Sequence, residues 1–326
     1  MVERTVRKSV NSLPDLANVI RPVREFRSLR GRLSRAFSRF FGSRPERLSA
    51  PFEGLTLRAE KFRGRGKSGR GSWVGTLEGQ PVKVYQSFSL SQAAYIESVS
   101  TVPALKPHFP AVLGQWEEYV IAEWVPGHEL SRGELLKDRS LLDRVAAIQV
   151  AIHQEIPALE PGFSYRDLML DRVAQHLGPF VNNPMVGSLL EAVTEYVPEG
   201  AEVRVHHPDL TPRNLVREGD GAIVAVDNEL LSGAWYYSVD LLSTISSLGG
   251  TESAAEAYLT AYRQAGGSLD PLIEHASFWR ALWDLRVFGA KLGGGDLDGA
   301  LDFLVLAPSS RNLAGTVIHV VERLQR

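Results

Sequence analysis

Apolar and polar positions alternate with a period of two from residue 55 onward, where Leu55, Leu57 and Ala59 are separated by polar side chains. Two further short runs, Ser72–Leu77 and Pro81–Tyr85, flank Glu78-Gly79-Gln80, which predicts a hairpin. Ser89–Val102 reads as a helix, with Ser89 or Ser91 as its cap. Tyr119–Trp124 is a compact apolar run that predicts a buried strand, and Pro126-Gly127 breaks it. Beyond this break the period becomes helical, over Leu141–His153, Asn183–Tyr196, Ser253–Ala265 and Leu272–Leu292. One β-type interruption lies at residues 214–227. The pattern therefore predicts an α+β chain in two lobes. A small β-rich lobe over residues 51–125 precedes a larger helical lobe over 126–326, with a hinge near 124–127.

Composition changes this picture at one place, the N-terminus. The whole chain of 326 residues has a formal net charge of −2, yet residues 1–50 hold 12 basic residues against 4 acidic ones. Within that arm Phe26, Leu29, Leu33, Phe37 and Phe40 recur at helical spacing, and arginines fill most positions between them. The favoured expectation is a helix whose stripe docks on the main body and whose Arg face is solvated. A second is peripheral contact of residues 23–41 with an anionic membrane. Nucleic-acid binding is disfavoured, because the acidic excess of the remaining chain repels phosphate backbones. The chain has no cysteine, which excludes disulfide scaffolds, Cys-ligated zinc, iron–sulfur clusters and thiol nucleophiles. It also has no 18-residue apolar run, and its first 20 residues lack the apolar core of a signal peptide. The expectation is a cytoplasmic protein, with the arm as its one candidate for contact with the inner face of a membrane.

The strongest chemical signal is His207-Pro208-Asp209-Leu210-Thr211-Pro212-Arg213-Asn214, succeeded by the apolar run Ala222–Val226 that stops at Asp227. Glu218-Gly219-Asp220-Gly221 is a turn sequence, so the segment predicts a hairpin. If Arg217 pairs with Ala222, Asn214 lies opposite Ala225 and Asp227 sits one step along at the same open end. That brings an amide oxygen and a carboxylate together, a donor pair that suits Mg²⁺. Asp209, on a loop stiffened by two prolines, is within reach as a third polar group.

Six glycines stand between residues 64 and 79, among them Gly64, Gly66 and Gly69 in a G-x-G-x-x-G spacing. The chain beyond residue 71 reads as strands, not as the helix a dinucleotide-binding fingerprint requires. Lys61 occupies the position where a Walker A loop needs glycine. A glycine loop between strands instead lets backbone N–H groups approach phosphate oxygens. Lys83 lies just downstream in a short apolar strand, where an ammonium would meet nucleotide phosphates.

Together these residues resemble the aminoglycoside phosphotransferase and choline kinase-like branch of the protein-kinase-like superfamily, over roughly residues 52–300. The resemblance implies a bilobal protein-kinase-like fold that uses ATP and Mg²⁺. It implies Asp209 as the group that orients the acceptor hydroxyl and takes its proton, and Asn214 and Asp227 as metal ligands. Lys83 would grip the α- and β-phosphates, and the backbone of Glu123–Val125 would receive adenine. His207 and Asp240 would support the catalytic loop. Alignment on Ala93-Ala94 places Gln92 where the family has a glutamate that pairs with the lysine, and Glu97 lies just over one turn later. Pro208 replaces a usual glycine, and Asn228 replaces a common aromatic. The expected activity is transfer of the γ-phosphate to a hydroxyl of a small molecule: an aminoglycoside, an amino alcohol, a sugar or a lipid-linked glycan. The alternative is a pseudokinase that binds ATP or acts as a scaffold without turnover. Trp279, Trp283, Asp284 and Arg286 either shape the acceptor pocket or belong to the core.

Overall fold

The computed structural model describes residues 54–61, 72–87, 89–154, 204–207, 209–228, 231–235, 237–276, 278–281 and 313–326, with single positions 283, 284, 287 and 291 between the last two. The basic arm, the residues Gly64, Gly66 and Gly69, and the expected helix Asn183–Tyr196 lie outside the described residues.

The small lobe is built on a five-stranded antiparallel sheet of order β1-β2-β3-β5-β4. Its strands are β1 (Leu55–Lys61), β2 (Ser72–Leu77), β3 (Gln80–Gln86), β4 (Val112–Trp116) and β5 (Tyr119–Glu123). The first hairpin is tighter than the hydrophobic pattern predicts. Leu77 pairs directly with Gln80, so the turn is Glu78-Gly79 alone, and both have positive φ (51° and 81°). Two central residues of that hand match the twist of a hairpin.

Strand alternation sorts β3 between two clusters. Val82 and Val84 pack with Leu55, Trp73 and Ile121 on one face. Tyr85 joins Val120, Ala122 and the buried face of helix α1 (Leu90–Thr101) on the other. Lys83, two residues from Tyr85 and opposite Ala122, therefore falls on the face shared with α1. Helix α1 starts at Ser89, whose hydroxyl accepts the Gln92 N–H.

The chain leaves β5 through the hinge and is stitched at once to the second lobe. Strand β6 (His128–Glu129) pairs with β8 (Leu215–Arg217), which pairs in turn with β9 (Ile223–Ala225). Gly127 has φ +152°, and a Cβ there would meet the carbonyl oxygen of Arg217. A second small sheet joins β7 (Arg204–His206) to β10 (Ser232–Trp235). The further helices bounded among the described residues are α2 (Arg132–Lys137), α3 (Arg139–Gln154), α4 (Tyr237–Ser247), α5 (Glu252–Gln264), α6 (Pro271–Glu274) and α7 (Leu313–Gln325), and residues 276, 278–281, 283, 284, 287 and 291 are helical as well. Ser131 and Glu134 form a reciprocal capping box on α2, and Thr251 caps α5. The expected helix Leu272–Leu292 is divided: α6 stops at His275, whose backbone (φ −115°, ψ 27°) leaves the helical range. No helix among the described residues is long and apolar enough to cross a membrane.

Gly127→Ala is expected to lower the melting temperature by several degrees, since a left-handed non-glycine residue costs about 1–3 kcal/mol before the collision is counted. Calorimetry of the variant checks this, and an unchanged transition would show that the hinge yields freely.

Candidate functional site

The hairpin register differs from expectation by one residue. Arg217 pairs with Ile223 and Leu215 with Ala225. The connection is longer because Glu218 and Ala222 close it through a backbone bond (2.9 Å), and the Asp220 carboxylate accepts from the Ala222 N–H at 2.8 Å. Asn214 thus stands opposite Val226, whose N–H donates to its carbonyl at 2.8 Å. The correction moves Asp227 closer in register to Asn214, and the open end still carries both.

The loop before the hairpin is wound by its own side chains. Asn214 is buried, and its Nδ2 donates to the carbonyl of Asp209 (2.8 Å) and to its carboxylate (2.9 Å). The Asn214 amide nitrogen therefore faces Asp209, which leaves the amide oxygen as its acceptor group. Arg213 reaches the same carboxylate only at 3.9 Å, with its side chain largely exposed, a pair of little energetic weight.

Behind the loop lies a buried polar frame. Asp240 has no exposed surface and accepts the His207 backbone N–H at 2.7 Å. It also accepts from His153 Nε2 at 3.3 Å, and His153 Nδ1 is 2.9 Å from the Tyr262 hydroxyl. The His207 ring donates through Nε2 to Asn228 Oδ1 (2.9 Å) and stacks on Phe109 with an interplanar angle of 12°. Three residues further along the loop, Thr244 donates to the Leu210 carbonyl (3.1 Å) and accepts from Gln149, which receives the Tyr258 hydroxyl at 2.5 Å. Burial pushes the Tyr258 phenol well above its ordinary range. The supporting role expected of His207 and Asp240 is thus given partners. His153, Gln149, Thr244, Tyr258 and Tyr262 do not stand out in the sequence. The signal available was polar side chains at inward positions of otherwise apolar helical faces.

Lys83 reaches across the cleft and pairs with Asp227. Its ammonium also lies 5.6 Å from the centre of the Tyr85 ring. Neither helix candidate is its partner. Gln92 is fully buried and donates its amide to the Leu231 carbonyl, while Glu97 is exposed on the outer side of α1. A neutral amide has no Coulombic claim on the ammonium that the Asp227 carboxylate can match. Asp227 itself has φ 62°, an uncommon conformation for a residue with a side chain.

At the hinge, Glu123 donates its N–H to Ala111 (2.9 Å) and Trp124 to Pro81 (3.2 Å), so both amides belong to the sheet. In the second lobe Trp279 is buried, with its indole N–H on the Leu272 carbonyl at 2.9 Å. It is a core residue and not a pocket wall. Burial raises the Asp284 carboxyl to about 6, against the opposing pull of Arg280. Arg286 lies outside the described residues.

The donor set fits a hard divalent cation. The Asn214 amide oxygen and the Asp227 carboxylate offer oxygen donors at the end of one hairpin, and the carboxylate already faces a cation, the Lys83 ammonium. Asp240→Ala would strand two buried donors. It is expected to lower unfolding free energy by about 2–4 kcal/mol, from two buried donors at about 1–3 kcal/mol each, measured in urea, and a loss below about 1 kcal/mol would show that the loop is held elsewhere.

A family model described as the phosphotransferase enzyme family matches residues 79–272. The solved choline kinase LicA from Streptococcus pneumoniae aligns at 14% identity over 86% of this chain and 100% of its own, with a TM-score of 0.54. LicA in complex with AMP aligns at 14% identity over 80% of this chain and 96% of its own, with a TM-score of 0.56. A choline/ethanolamine kinase family protein from Mesorhizobium loti covers 88% and 99% at 17% identity, with a TM-score of 0.53. No curated protein sequence matches the chain. The expected bilobal kinase-like architecture is the one these structures share.

Proposed function

Because this chain belongs to the phosphotransferase enzyme family, we propose that it moves the γ-phosphate of ATP to a hydroxyl of a small molecule in a Mg²⁺-dependent reaction. The observation that carries this reading is the convergence of Asp209, Asn214, Asp227 and Lys83 on one cleft, with Lys83 from the small lobe ion-paired to Asp227 of the large one. The AMP found with LicA and the likeness to choline kinases support a nucleotide donor and a small alcohol acceptor.

In this reading Asn214 and Asp227 hold Mg²⁺, which neutralises phosphate charge when bound. The incoming phosphates draw Lys83 away from Asp227. That pair is partly solvated, with side-chain exposures of 16% and 44%, so exchanging it is inexpensive. The base rests against Glu123–Val125, where the Val125 amide is the donor, since the two amides before it serve the sheet. Asp209 accepts the acceptor hydroxyl proton while Asn214 fixes its carboxylate from behind. Most of the rate comes from positioning and charge neutralisation. The acceptor belongs to the hydroxyl-bearing aminoglycosides, amino alcohols, sugars or lipid-linked glycans.

Asp209→Asn is expected to leave folding and nucleotide binding intact and to lower kcat at least about 100-fold. Assays of ATP consumption over a panel of such acceptors read this directly, and near-normal turnover would remove Asp209 from the mechanism. Asp227→Ala is expected to abolish Mg²⁺-dependent nucleotide binding in calorimetry. Wild-type protein that binds Mg·ATP but phosphorylates none of the panel would favour the pseudokinase alternative.

A further inference from the structure

We propose that Gln92 is a positioning residue, which ties helix α1 to the turn carrying Asp227 through one buried hydrogen bond between the lobes. The inference rests on the reading of Asp227 as the cation-facing carboxylate, and goes beyond it.

A primary amide with no exposed surface is costly to bury unless it is hydrogen-bonded. Gln92 is such a group. Its Nε2 donates to the carbonyl of Leu231, 139 residues away in sequence. Its Oε1 is buried and makes no hydrogen bond among the described residues. The bond to Leu231 is therefore what offsets the burial of this side chain.

Leu231 closes the turn that Asp227 opens. Its N–H donates to the Asn228 carbonyl at 2.9 Å. The Asn228 side chain is buried and doubly used: Oδ1 accepts from the His207 ring at 2.9 Å, and Nδ2 donates to the Ala225 carbonyl at 3.2 Å. Asp227 sits between Ala225 and Asn228 with a φ of 62°. A left-handed aspartate persists only where its neighbours over-determine it. Here the large lobe supplies the Asn228 and His207 contacts, and from the small lobe Gln92 adds a fully buried restraint to the partly solvated Lys83–Asp227 pair.

The residue type is specific to the task. An ionised glutamate at 92 has no proton to give the Leu231 carbonyl, and its charge would compete with Asp227 for Lys83. A glutamine both donates and leaves the Lys83 ammonium to Asp227. Displacement of α1 and displacement of the Asp227 turn are then one event.

The test uses the full chain with Gln92→Met, which keeps length and removes the donor, and Gln92→Glu, which restores a donor only when protonated. Amide hydrogen exchange is read across residues 226–231, and kcat and the KM for Mg·ATP are measured alongside. For Gln92→Met the turn loses the bond to the Leu231 carbonyl, and the Leu231 N–H, whose own bond to the Asn228 carbonyl closes that turn, is expected to exchange about tenfold faster as the turn opens more often, with a melting temperature within a few degrees of wild type. For Gln92→Glu the exchange protection, as a ratio to wild type, is expected to recover as pH falls and the carboxyl protonates. Wild-type protection at 226–231 in a folded Gln92→Met protein would overturn the proposal. Should that variant not fold, a pH-independent ratio for Gln92→Glu would overturn it instead. Exchange needs no turnover, so absence of phosphoryl transfer in the wild type would count against the proposed function alone. If transfer is present, kcat in Gln92→Met is expected to fall about tenfold while the acceptor KM stays constant.

Discussion

A carboxylate with no access to water has to be met by donors, and those that meet Asp240 among the described residues include two from different parts of the large lobe. One is the backbone of His207, at the start of the loop that carries Asp209, and the other is the ring of His153 on α3. Tyr262 on α5 lies against the far nitrogen of that ring. The loop is therefore hung on a charge whose own position is fixed by three helices. A charge-assisted bond in a low-dielectric interior is stronger than its counterpart in water, and losing one partner is penalised more heavily. The second attachment, Thr244 to the Leu210 carbonyl, acts one residue beyond Asp209. Asp209 thus lies between two anchored carbonyl and amide groups, with its carboxylate held from the other side by Asn214.

The small lobe contributes charge on a much less rigid basis. Lys83 owes its direction to strand alternation and its partner to electrostatics. Its exposure and that of Asp227 make the pair responsive to competing ions. The rigid element is the large-lobe loop, the exchangeable one the inter-lobe ion pair, and this division suits a site that must admit a charged ligand between them.

Much of this was legible in the sequence, and the reasons for the rest are physical. Period-two and helical patterns placed β1, β2, β3, β5, α1, α3 and α5, because burial on one face is a local property of sequence, whereas β4 and the short strands β6, β7 and β10 carry too few alternating positions to be read. The hairpin 214–227 was legible too, but its register slipped by one, since Asp220 lengthens the turn through an Asx bond that no hydrophobic pattern reports. The partner of Lys83 was not found by alignment with a helix acid, because at that position stands a neutral amide engaged elsewhere. The frame of His153, Gln149, Thr244 and Tyr258 was missed for another reason. A buried polar residue on a helix announces itself by breaking an apolar stripe, but its partner lies about 90 to 110 residues away.

Two departures from the family pattern, Gln92 and Asn228, are explained by one turn. Each by itself looks like the loss of a functional group, an acid in the first case and an aromatic in the second. In the structure both are buried amides that terminate on the segment from Ala225 to Leu231. An aromatic at 228 would fill space, but could not accept the His207 proton or bind the Ala225 carbonyl. Without those bonds the left-handed Asp227 would lose the large-lobe side-chain contacts that hold its turn. Directional bonds fix a backbone angle more tightly than apolar contact does, so the turn is specified by hydrogen bonds from both lobes. The two residues act on the same turn from opposite sides, Asn228 holding it to the loop that carries Asp209 and Gln92 holding it to α1.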